Sequence, residues 1–397
     1  YDPLVPNQMR YQTALRPDSH ILPAQTRSSS ANMQICILMH PCVGNNLHPS
    51  RSSLLLSTMH LSQSDHSVSP PNVMIPRVYN AAADLLGRHA ARSHKPAYID
   101  GLTGETLSYA QLTEQAHRFA QGLQDQGFVQ EQRILLCMHD SLHWPVAFLG
   151  CILAGVVPIA VNTLLTSQDY HYMLHDSRAQ GLIVSKALWP VFETLLPDLM
   201  GLKQIIVDGG DSSTPGISFD DLLRQSSVLS EPVHTLADDV CFWLYSSGST
   251  GSPKGTLHLH SHVVQTAELY GRAVLGLQES DVVFSAAKLF FAYGLGNALS
   301  FPLAVGASTV LLSARPTPTE VFGLLEKHQP TVFYGVPTLF ASLLAEASRP
   351  QAKALNLRVC TSAGEALPAE IGKKWQQEYG VDILDGIGST EMLHIFL

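Results

Sequence analysis

Short apolar stretches alternate with segments of helical periodicity along most of this chain, and this alternation limits its fold more than any other feature. Strands are predicted at 133–138, 156–161, 181–185, 204–207, 240–245, 282–285, 308–312, 332–334, 359–362 and 382–385. Helical segments separate most of them, and such strand–helix–strand units pair in parallel, with helices covering the faces of the sheet. The sequence therefore predicts an α/β protein with mainly parallel sheets.

A change in composition divides the chain into three segments. Residues 1–70 are rich in Ser and Pro and contain no Lys or Glu. This composition favours a disordered or non-native extension over a transit peptide, because no basic amphipathic helix is visible. A second boundary falls at the Pro- and Asp-containing stretch 232–239. We therefore expect α/β subdomains at 71–235 and 236–397.

Charge and hydropathy exclude several classes of protein. A net charge of −9 disfavours a nucleic-acid or anionic-membrane binder, although a nucleotide needs only local positive charge. The uncharged run 144–161 approaches the length of a membrane span. Its Pro and Gly residues favour instead a buried helix at 145–154, a turn at Gly155 and a strand at 156–161. Without an N-glycosylation sequon or an anchor, we expect a cytoplasmic protein.

A loop rich in Gly, Ser and Thr at 245–256 directly follows the apolar strand 240–244. Freed backbone N–H groups and hydroxyls in such a loop bind phosphate oxygens, and Lys254 adds a positive charge. The loop differs from a Walker A motif, because Lys254 is followed by Gly255 and preceded by Pro253, which blocks the required start of a helix. A flexible linker is the alternative, but a linker needs neither this lysine nor a buried strand before it.

This loop resembles the signature of the acyl-adenylate-forming enzymes, which include aryl-CoA ligases, luciferases and peptide-synthetase adenylation domains. Two further blocks, 362–368 and 388–391, resemble the family's nucleotide-binding turn and second ATP motif, in the family's order. Segments 75–82, 288–297 and 385–397 are most similar to the benzoate–CoA ligase branch. The resemblance implies the large N-terminal domain of the adenylate-forming fold: two doubly wound, mainly parallel sheets with helices between and outside, plus a small β-rich subdomain.

The resemblance also implies a two-step reaction with ATP, Mg²⁺ and coenzyme A. A carboxylate attacks the α-phosphate of ATP to give an acyl-adenylate and pyrophosphate, and the thiol of coenzyme A then displaces AMP. Thr390 would contact the α-phosphate and Glu391 would help to bind Mg²⁺. The β- and γ-phosphates would lie on Ser246, Ser247, Gly248, Ser249, Thr250, Gly251 and Lys254. Lys254, Thr390 and Glu391 are thus the candidate catalytic residues.

The same resemblance implies which residues would contact the nucleoside and which would contact the aryl group. Gly364, Glu365 and Ala366 would lie along adenine and ribose, and Asp385 would accept from the adenine amino group or, alternatively, cap a strand end. The remaining nucleotide contacts would come from Gly386 and from Ile387, an aliphatic residue where the family commonly has an aromatic one. The substrate residues would be Phe291, Ala292, Tyr293, Ala363, Gly388, His394 and Ile395, with Gly364 and Gly386 in the floor of a narrow apolar slot.

Several histidines have alternative interpretations. His394 follows Glu391 by three residues, so on a helical turn the two side chains would face one way; a solvated histidine is the alternative. His258, His260 and His262 alternate, and on a strand they would share one face, as a zinc ligand set does. No fourth ligand is spaced with them, so we disfavour zinc.

The family's ribose-binding acidic motif, hinge residue and catalytic lysine follow the Glu391 motif, and the sequence stops six residues after Glu391. We therefore expect a truncated large domain that does not complete thioester synthesis alone. The predicted substrate is benzoate. The alternatives are a hydroxybenzoate, an aminobenzoate, phenylacetate or another aryl acid, and a non-catalytic nucleotide-binding fragment. The sequence does not indicate an oligomeric state.

Overall fold

The computed structural model of the protein describes residues 61–195, 201–246 and 252–397. In chain order its strands are β1 (Gln63–Asp65), β2 (Asn72–Met74), β3 (Pro96–Asp100), β4 (Thr106–Ser108), β5 (Arg133–Cys137), β6 (Val157–Ala160), β7 (Gly181–Ser185), β8 (Gln204–Asp208), β9 (Ile217–Ser218), β10 (Val240–Ser246), β11 (Lys254–Leu259), β12 (Val282–Ser285), β13 (Ser308–Leu311), β14 (Val332–Gly335), β15 (Val359–Ser362) and β16 (Ile383–Asp385).

The α-helices are α1 (Ala81–Gly87), α2 (Tyr109–Asp125), α3 (His143–Leu153), α4 (Ser167–Ser177), α5 (Trp189–Glu193), α6 (Phe219–Gln225), α7 (His260–Thr266), α8 (Ala292–Leu295), α9 (Phe301–Val305), α10 (Pro318–His328), α11 (Pro337–Ala345) and α12 (Ala369–Tyr379). Two π-helical turns, Ala267–Arg272 and Gly296–Ser300, follow α7 and α8. The second one continues α8 directly into α9, so residues 292–305 form one uninterrupted helical run.

Two seven-stranded sheets form the framework. The first has the order β11-β10-β6-β5-β7-β8-β9 and the second the order β16-β15-β14-β12-β13-β3-β4. Neighbouring strands are parallel except at one edge of each sheet, where β11 pairs with β10 and β4 pairs with β3 in antiparallel fashion. The predicted fold class of two mainly parallel sheets with helices is confirmed. A separate two-stranded antiparallel sheet joins β1 and β2.

Each of the two sheets contains strands from both sides of the boundary predicted near residue 235. Strands β10 and β11, which follow that boundary, belong to the first sheet, and β3 and β4, which precede it, belong to the second. Each predicted subdomain therefore contributes strands to both sheets. Sheet pairing is decided by long-range hydrogen bonds, which local composition does not reveal.

The apolar run at 144–161 forms the buried helix α3 and strand β6, as predicted. Every residue of β6 is buried, and so is every residue of α3 after His143. Side chains of α3 belong to the largest apolar core, which also receives side chains from both sheets. Within the described ranges, no helix is both long and apolar enough to cross a membrane.

The described structure begins ten residues before the predicted boundary at residue 71. Strand β1 pairs with β2, and the Ser62 hydroxyl donates to Asp84 Oδ2 at 2.7 Å. His66 contacts the wholly buried Glu268. Residues 61–70 therefore belong to the folded body, contrary to the expectation of an extension through residue 70. The rest of that predicted extension, 1–60, lies outside the described residues.

Candidate active site

The carboxyl ends of β12, β14, β15 and β16 lie side by side, because these four strands are parallel neighbours. Ser362 at the end of β15 pairs in register with Asp385 at the end of β16. The predicted nucleotide turn and the second ATP motif therefore emerge next to each other. Open α/β sheets bind ligands in the crevice outside this edge.

Asp385 stabilises the turn that follows β15. Its Oδ2 accepts a hydrogen bond from the backbone N–H of Leu367 at 3.0 Å. Gly364 has a φ of +99°, a left-handed conformation that favours glycine. Gly364, Glu365 and Ala366 are exposed on this edge, where a ligand can reach them. Asp385 thus has the structural role that the sequence left open, and its contact with adenine stays a prediction.

Residues 387–397 fold back on themselves as a narrow loop. Ile387 donates its backbone N–H to the carbonyl of Leu397 at 2.9 Å, and its own carbonyl accepts from the N–H of Phe396 at 3.0 Å. A further antiparallel bridge joins Gly388 to Ile395. These contacts place Thr390 and Glu391 at the tip of the loop, beyond the end of β16.

The expectation that Glu391 and His394 face the same way is wrong. Leu393, between them, has a φ of +63°, so the chain reverses instead of completing a helical turn. Glu391 is exposed, whereas His394 is only 2% exposed. The two residues consequently serve different environments, one open to solvent and one apolar.

The predicted phosphate loop connects two antiparallel strands. Ser246 at the end of β10 is paired with Lys254 at the start of β11, and Lys254 is exposed. A strand rather than a helix follows the loop, in agreement with the exclusion of a Walker A motif. Five of the predicted phosphate ligands lie outside the described residues: Ser247, Gly248, Ser249, Thr250 and Gly251.

His258 lies on β11, the strand that follows the predicted phosphate loop. Its imidazole is wholly buried and stacks on Phe242 with ring centroids 4.9 Å apart. Burial lowers the pKa of His258 to about 4, so the ring is uncharged near neutral pH. His258 is therefore part of the packed core behind the loop.

The three alternating histidines do not share one strand face. His258 lies on β11, whereas His260 and His262 lie on α7. The His260 Nδ1 accepts from the backbone N–H of Ala81 at 3.1 Å, which ties it to α1 instead of to the other two rings. In the part of the chain that the structure describes, no group of three or more His, Cys, Asp or Glu could hold a metal ion. These three histidines therefore do not form the shared-face ligand set that the zinc interpretation requires.

An aromatic cluster, called the aromatic wall below, forms where β15, α8 and the 387–397 loop meet. The Tyr293 hydroxyl lies 2.5 Å from the Thr361 hydroxyl, and the Tyr293 and His394 rings are 5.3 Å apart. The other ring neighbours of His394 are Phe301 at 4.5 Å and Tyr270 at 5.0 Å. His394 is thus a packed residue of this cluster, and the solvated alternative is wrong; its contact with a substrate stays a prediction.

The wall is electrically neutral. Burial lowers the pKa of His394 to about 3, so the imidazole is uncharged near neutral pH. Burial also raises the pKa of Tyr293, which therefore stays protonated. An uncharged aromatic wall suits an apolar ring and offers no charge to a second ionised group.

The other predicted substrate residues differ in how far they are exposed to solvent. Ala292 and Ala363 are buried, whereas Phe291 is 48% exposed and its ring packs against Phe290. Ile395 is buried against Gly386, where a Cβ would lie 2.6 Å from Ile395 Cγ2. Gly386 is therefore a position where only glycine permits this close approach.

Ile387 and Gly388 are exposed at the start of the 387–397 loop, beside the crevice. The sequence did not single out Asn297, Tyr270 or Thr361 as site residues. Asn297 follows Tyr293 by four residues, so helical spacing could have indicated it. Tyr270 comes from a different helical segment, and no local pattern places it near His394.

The chain is similar to known proteins. The model of the AMP-binding enzyme family matches residues 87–397. The chain therefore belongs to the AMP-binding enzyme family.

Among its relatives, the chain is 54% identical over 340 residues to the benzoate–CoA ligase of Thauera aromatica, covering 85% of this chain and 64% of the relative. It is 46% identical over 324 residues to a 4-hydroxybenzoate–CoA/benzoate–CoA ligase of Rhodopseudomonas palustris, covering 81% and 59%. The crystal structure of the anthranilate CoA ligase AuaEII in complex with anthranoyl-AMP superposes with a TM-score of 0.78 at 37% identity, covering 81% and 62%. The chain thus spans less than two thirds of the length of each.

Proposed function

We propose that this protein activates an aromatic carboxylate, benzoate in the first place, as an acyl-adenylate and passes the acyl group to coenzyme A. The observation that carries the proposal is the neutral aromatic wall of Tyr293 and His394 beside the segments that follow β15 and β16. A flat, uncharged ring would lie against this wall, with its carboxylate toward the nucleotide. The identities with benzoate-activating relatives support the same substrate class.

The proposed nucleotide site uses the residues at the sheet edges. Lys254 and Ser246, paired at the ends of β11 and β10, would hold the β- and γ-phosphates together with the loop between them. Thr390 would donate to the α-phosphate. Gly364, Glu365 and Ala366 would lie along the nucleoside.

Glu391 is the candidate ligand for Mg²⁺. Its carboxylate is exposed at the tip of the 387–397 loop, next to Thr390 in the chain. Magnesium is commonly held by one or two carboxylates together with substrate phosphates and water. One exposed carboxylate therefore fits an ion that arrives with ATP. When bound, the ion would neutralise phosphate charge.

In this reaction the protein's main contributions are to position the reactants and to stabilise charge. A carboxylate oxygen forms a bond to the α-phosphorus while the bond to the leaving pyrophosphate breaks. The sulfur of coenzyme A then bonds to the acyl carbon, its thiol proton passes to solvent, and the acyl C–O bond breaks as AMP leaves with the bonding electron pair. Lys254 and Thr390 would stabilise negative charge on phosphate oxygens, which is the larger part of catalysis in such transfers.

The choice among aryl acids depends on the ring's substituents. A hydroxyl or amino group changes binding only modestly in a mainly apolar slot. The relatives' names include 4-hydroxybenzoate and anthranilate. Hydroxybenzoates and aminobenzoates are therefore the second candidate substrates, ranked behind benzoate because the relative with 54% identity is a benzoate–CoA ligase.

A hydrolysis-resistant benzoyl-adenylate analogue, with a sulfamoyl group in place of the phosphate, tests the proposal. It occupies the aryl and nucleoside sites together, so it should bind the 397-residue chain much more tightly than AMP or benzoate alone. Calorimetric titration measures the three affinities, with hydroxybenzoyl and phenylacetyl analogues for comparison. Binding of ATP without any gain from the benzoyl group would favour a non-catalytic nucleotide-binding role.

A further inference from the structure

Asn297 lies behind the aromatic wall, on the π-helical turn Gly296–Ser300. It is wholly buried, and its Oδ1 lies 2.9 Å from His394 Nε2. A neutral imidazole carries one N–H, and an amide oxygen accepts but does not donate. This contact therefore favours the form of His394 that carries its proton on Nε2.

The backbone around Asn297 is shaped to receive the imidazole. A Cβ on Gly296 would overlap with His394 Cδ2 and would lie 3.0 Å from Nε2. Glycine at position 296 thus lets the ring approach the helix closely enough to reach Asn297.

The aromatic neighbours of His394 do not fix the tilt of its ring, so the hydrogen bond to Asn297 does. Tyr270, Tyr293 and Phe301 contact its ring at angles of 43°, 37° and 61°. Such contacts are weakly directional compared with a hydrogen bond in a dry interior. Asn297 is therefore the group that selects one orientation of the ring.

We propose that Asn297 is a positioning residue, which fixes the Nε2–H form and the ring plane of His394 and so sets the shape of the aryl pocket. This inference rests on the proposed function only for the identity of the ligand. The residue acts through His394 and does not itself touch the substrate.

Asn297→Leu tests the inference, because leucine is similar in size but cannot hydrogen-bond. Misorientation of His394 should weaken binding of the benzoyl-adenylate analogue about tenfold, the loss expected for one net hydrogen bond. The affinity for ATP should change less than about twofold, since the phosphate site is a separate segment. Ser300→Ala, at another buried position of the same π-helical turn, is the matched control and should alter neither affinity. Unchanged affinity for the analogue, or an equal loss for both ligands, would overturn the inference.

Nitrogen-15 NMR of labelled histidine supplies a readout independent of ligand binding. The wild-type protein should show His394 as the Nε2–H form, assigned by its loss in His394→Gln. Asn297→Leu should show a mixture of the two neutral forms, and Asn297→Gln should restore part of the Nε2–H population. An unchanged spectrum in Asn297→Leu would contradict the positioning role. Failure of the wild-type chain to bind any aryl ligand would instead contradict the proposed function.

Discussion

At the scale of single residues, the site depends on a few side chains whose surroundings differ sharply. Lys254 is exposed at the start of β11, whereas His394 is enclosed by aromatic rings. An exposed cation can follow a mobile phosphate, and an enclosed neutral ring presents a fixed surface. The two residues therefore suit the charged and the apolar halves of an acyl-adenylate.

Lys254→Ala should separate ATP binding from binding of the adenylate. The proposed contact of this lysine is with the phosphates that leave as pyrophosphate, so its loss should weaken ATP binding about tenfold or more, as for a charge-assisted hydrogen bond. The benzoyl-adenylate analogue lacks those phosphates and should bind within about twofold of wild type. Titration calorimetry measures both, with Lys374→Ala, an exposed lysine of α12, as control. An equal loss for both ligands would assign Lys254 to the fold instead.

Ala292→Leu should narrow the aryl pocket. Ala292 is the first residue of α8 and is 8% exposed, and extra methylenes in packed sites cost roughly 1–3 kcal/mol. The affinity of the 397-residue chain for the benzoyl-adenylate analogue should fall about tenfold or more, with a larger loss for analogues of ring-substituted benzoates. Titration calorimetry measures these affinities, and the affinity for ATP should stay nearly constant. Unchanged binding of the analogue together with weaker binding of ATP would place the segment around Ala292 in the nucleotide site.

At the scale of elements, strand β1 connects the start of the described chain to the helices behind the site. His66 Nε2 lies 2.7 Å from Glu268 Oε2, and Glu268 is wholly buried on the first π-helical turn. Arg88 and Arg272 approach the same carboxylate at 3.8 and 3.5 Å. Two residues further along that turn, Tyr270 contacts His394. The β1 segment thus helps to hold the helix that supports the aromatic wall.

His66→Ala should destabilise the fold, because it removes a hydrogen-bond partner from a buried carboxylate. Since Arg88 and Arg272 remain nearby, the free energy of unfolding should fall by about 1–3 kcal/mol. Urea unfolding measures the change, and His94→Ala, at an exposed position, should cost less than about 0.5 kcal/mol. In limited proteolysis the protected core should include residue 61. Equal stability of the two variants would show that β1 is a peripheral attachment.

At the scale of the whole molecule, buried neutral histidines should make stability depend on pH. Burial lowers the pKa values of His89, His258 and His260 to about 4 and that of His394 to about 3. The unfolded chain, whose histidines have an ordinary pKa of about 6.5, binds more protons than the folded chain below that pH. Stability should therefore be lost as the pH falls from about 6.5 toward 4.

The pH effect should be measurable as a lower free energy of unfolding at pH 5 than at pH 7.5. Each buried histidine contributes a loss of about 2 kcal/mol at pH 5. Asp140, whose pKa burial raises to about 6, opposes this by about 1 kcal/mol. Urea unfolding at the two pH values measures the net change in the free energy of unfolding. His89→Leu should make that free energy depend less on pH. Identical unfolding midpoints at both pH values would contradict the burial of these rings.

The sequence by itself determined the fold class and the local elements. Three kinds of local pattern each predict their own element. They are the apolar stretches of strand length, the helical spacing between them and the glycine-rich loop before Lys254. The interpretation of 144–161 as helix α3 and strand β6 succeeded for this reason. The choice of ATP motifs likewise depended on short segments, not on contacts between them.

Only the tertiary structure decided which segments meet. The parallel register of β15 and β16 brings the turn around Gly364 to Asp385, and the aromatic wall joins residues from three separate segments. A left-handed residue at Leu393 sends Glu391 to solvent and His394 inward, which helical spacing could not foresee. These outcomes depend on hydrogen bonds and packing between residues that are distant in the chain. The physical reason is that the burial of a side chain is set by the whole fold, whereas local propensity is set by neighbouring residues.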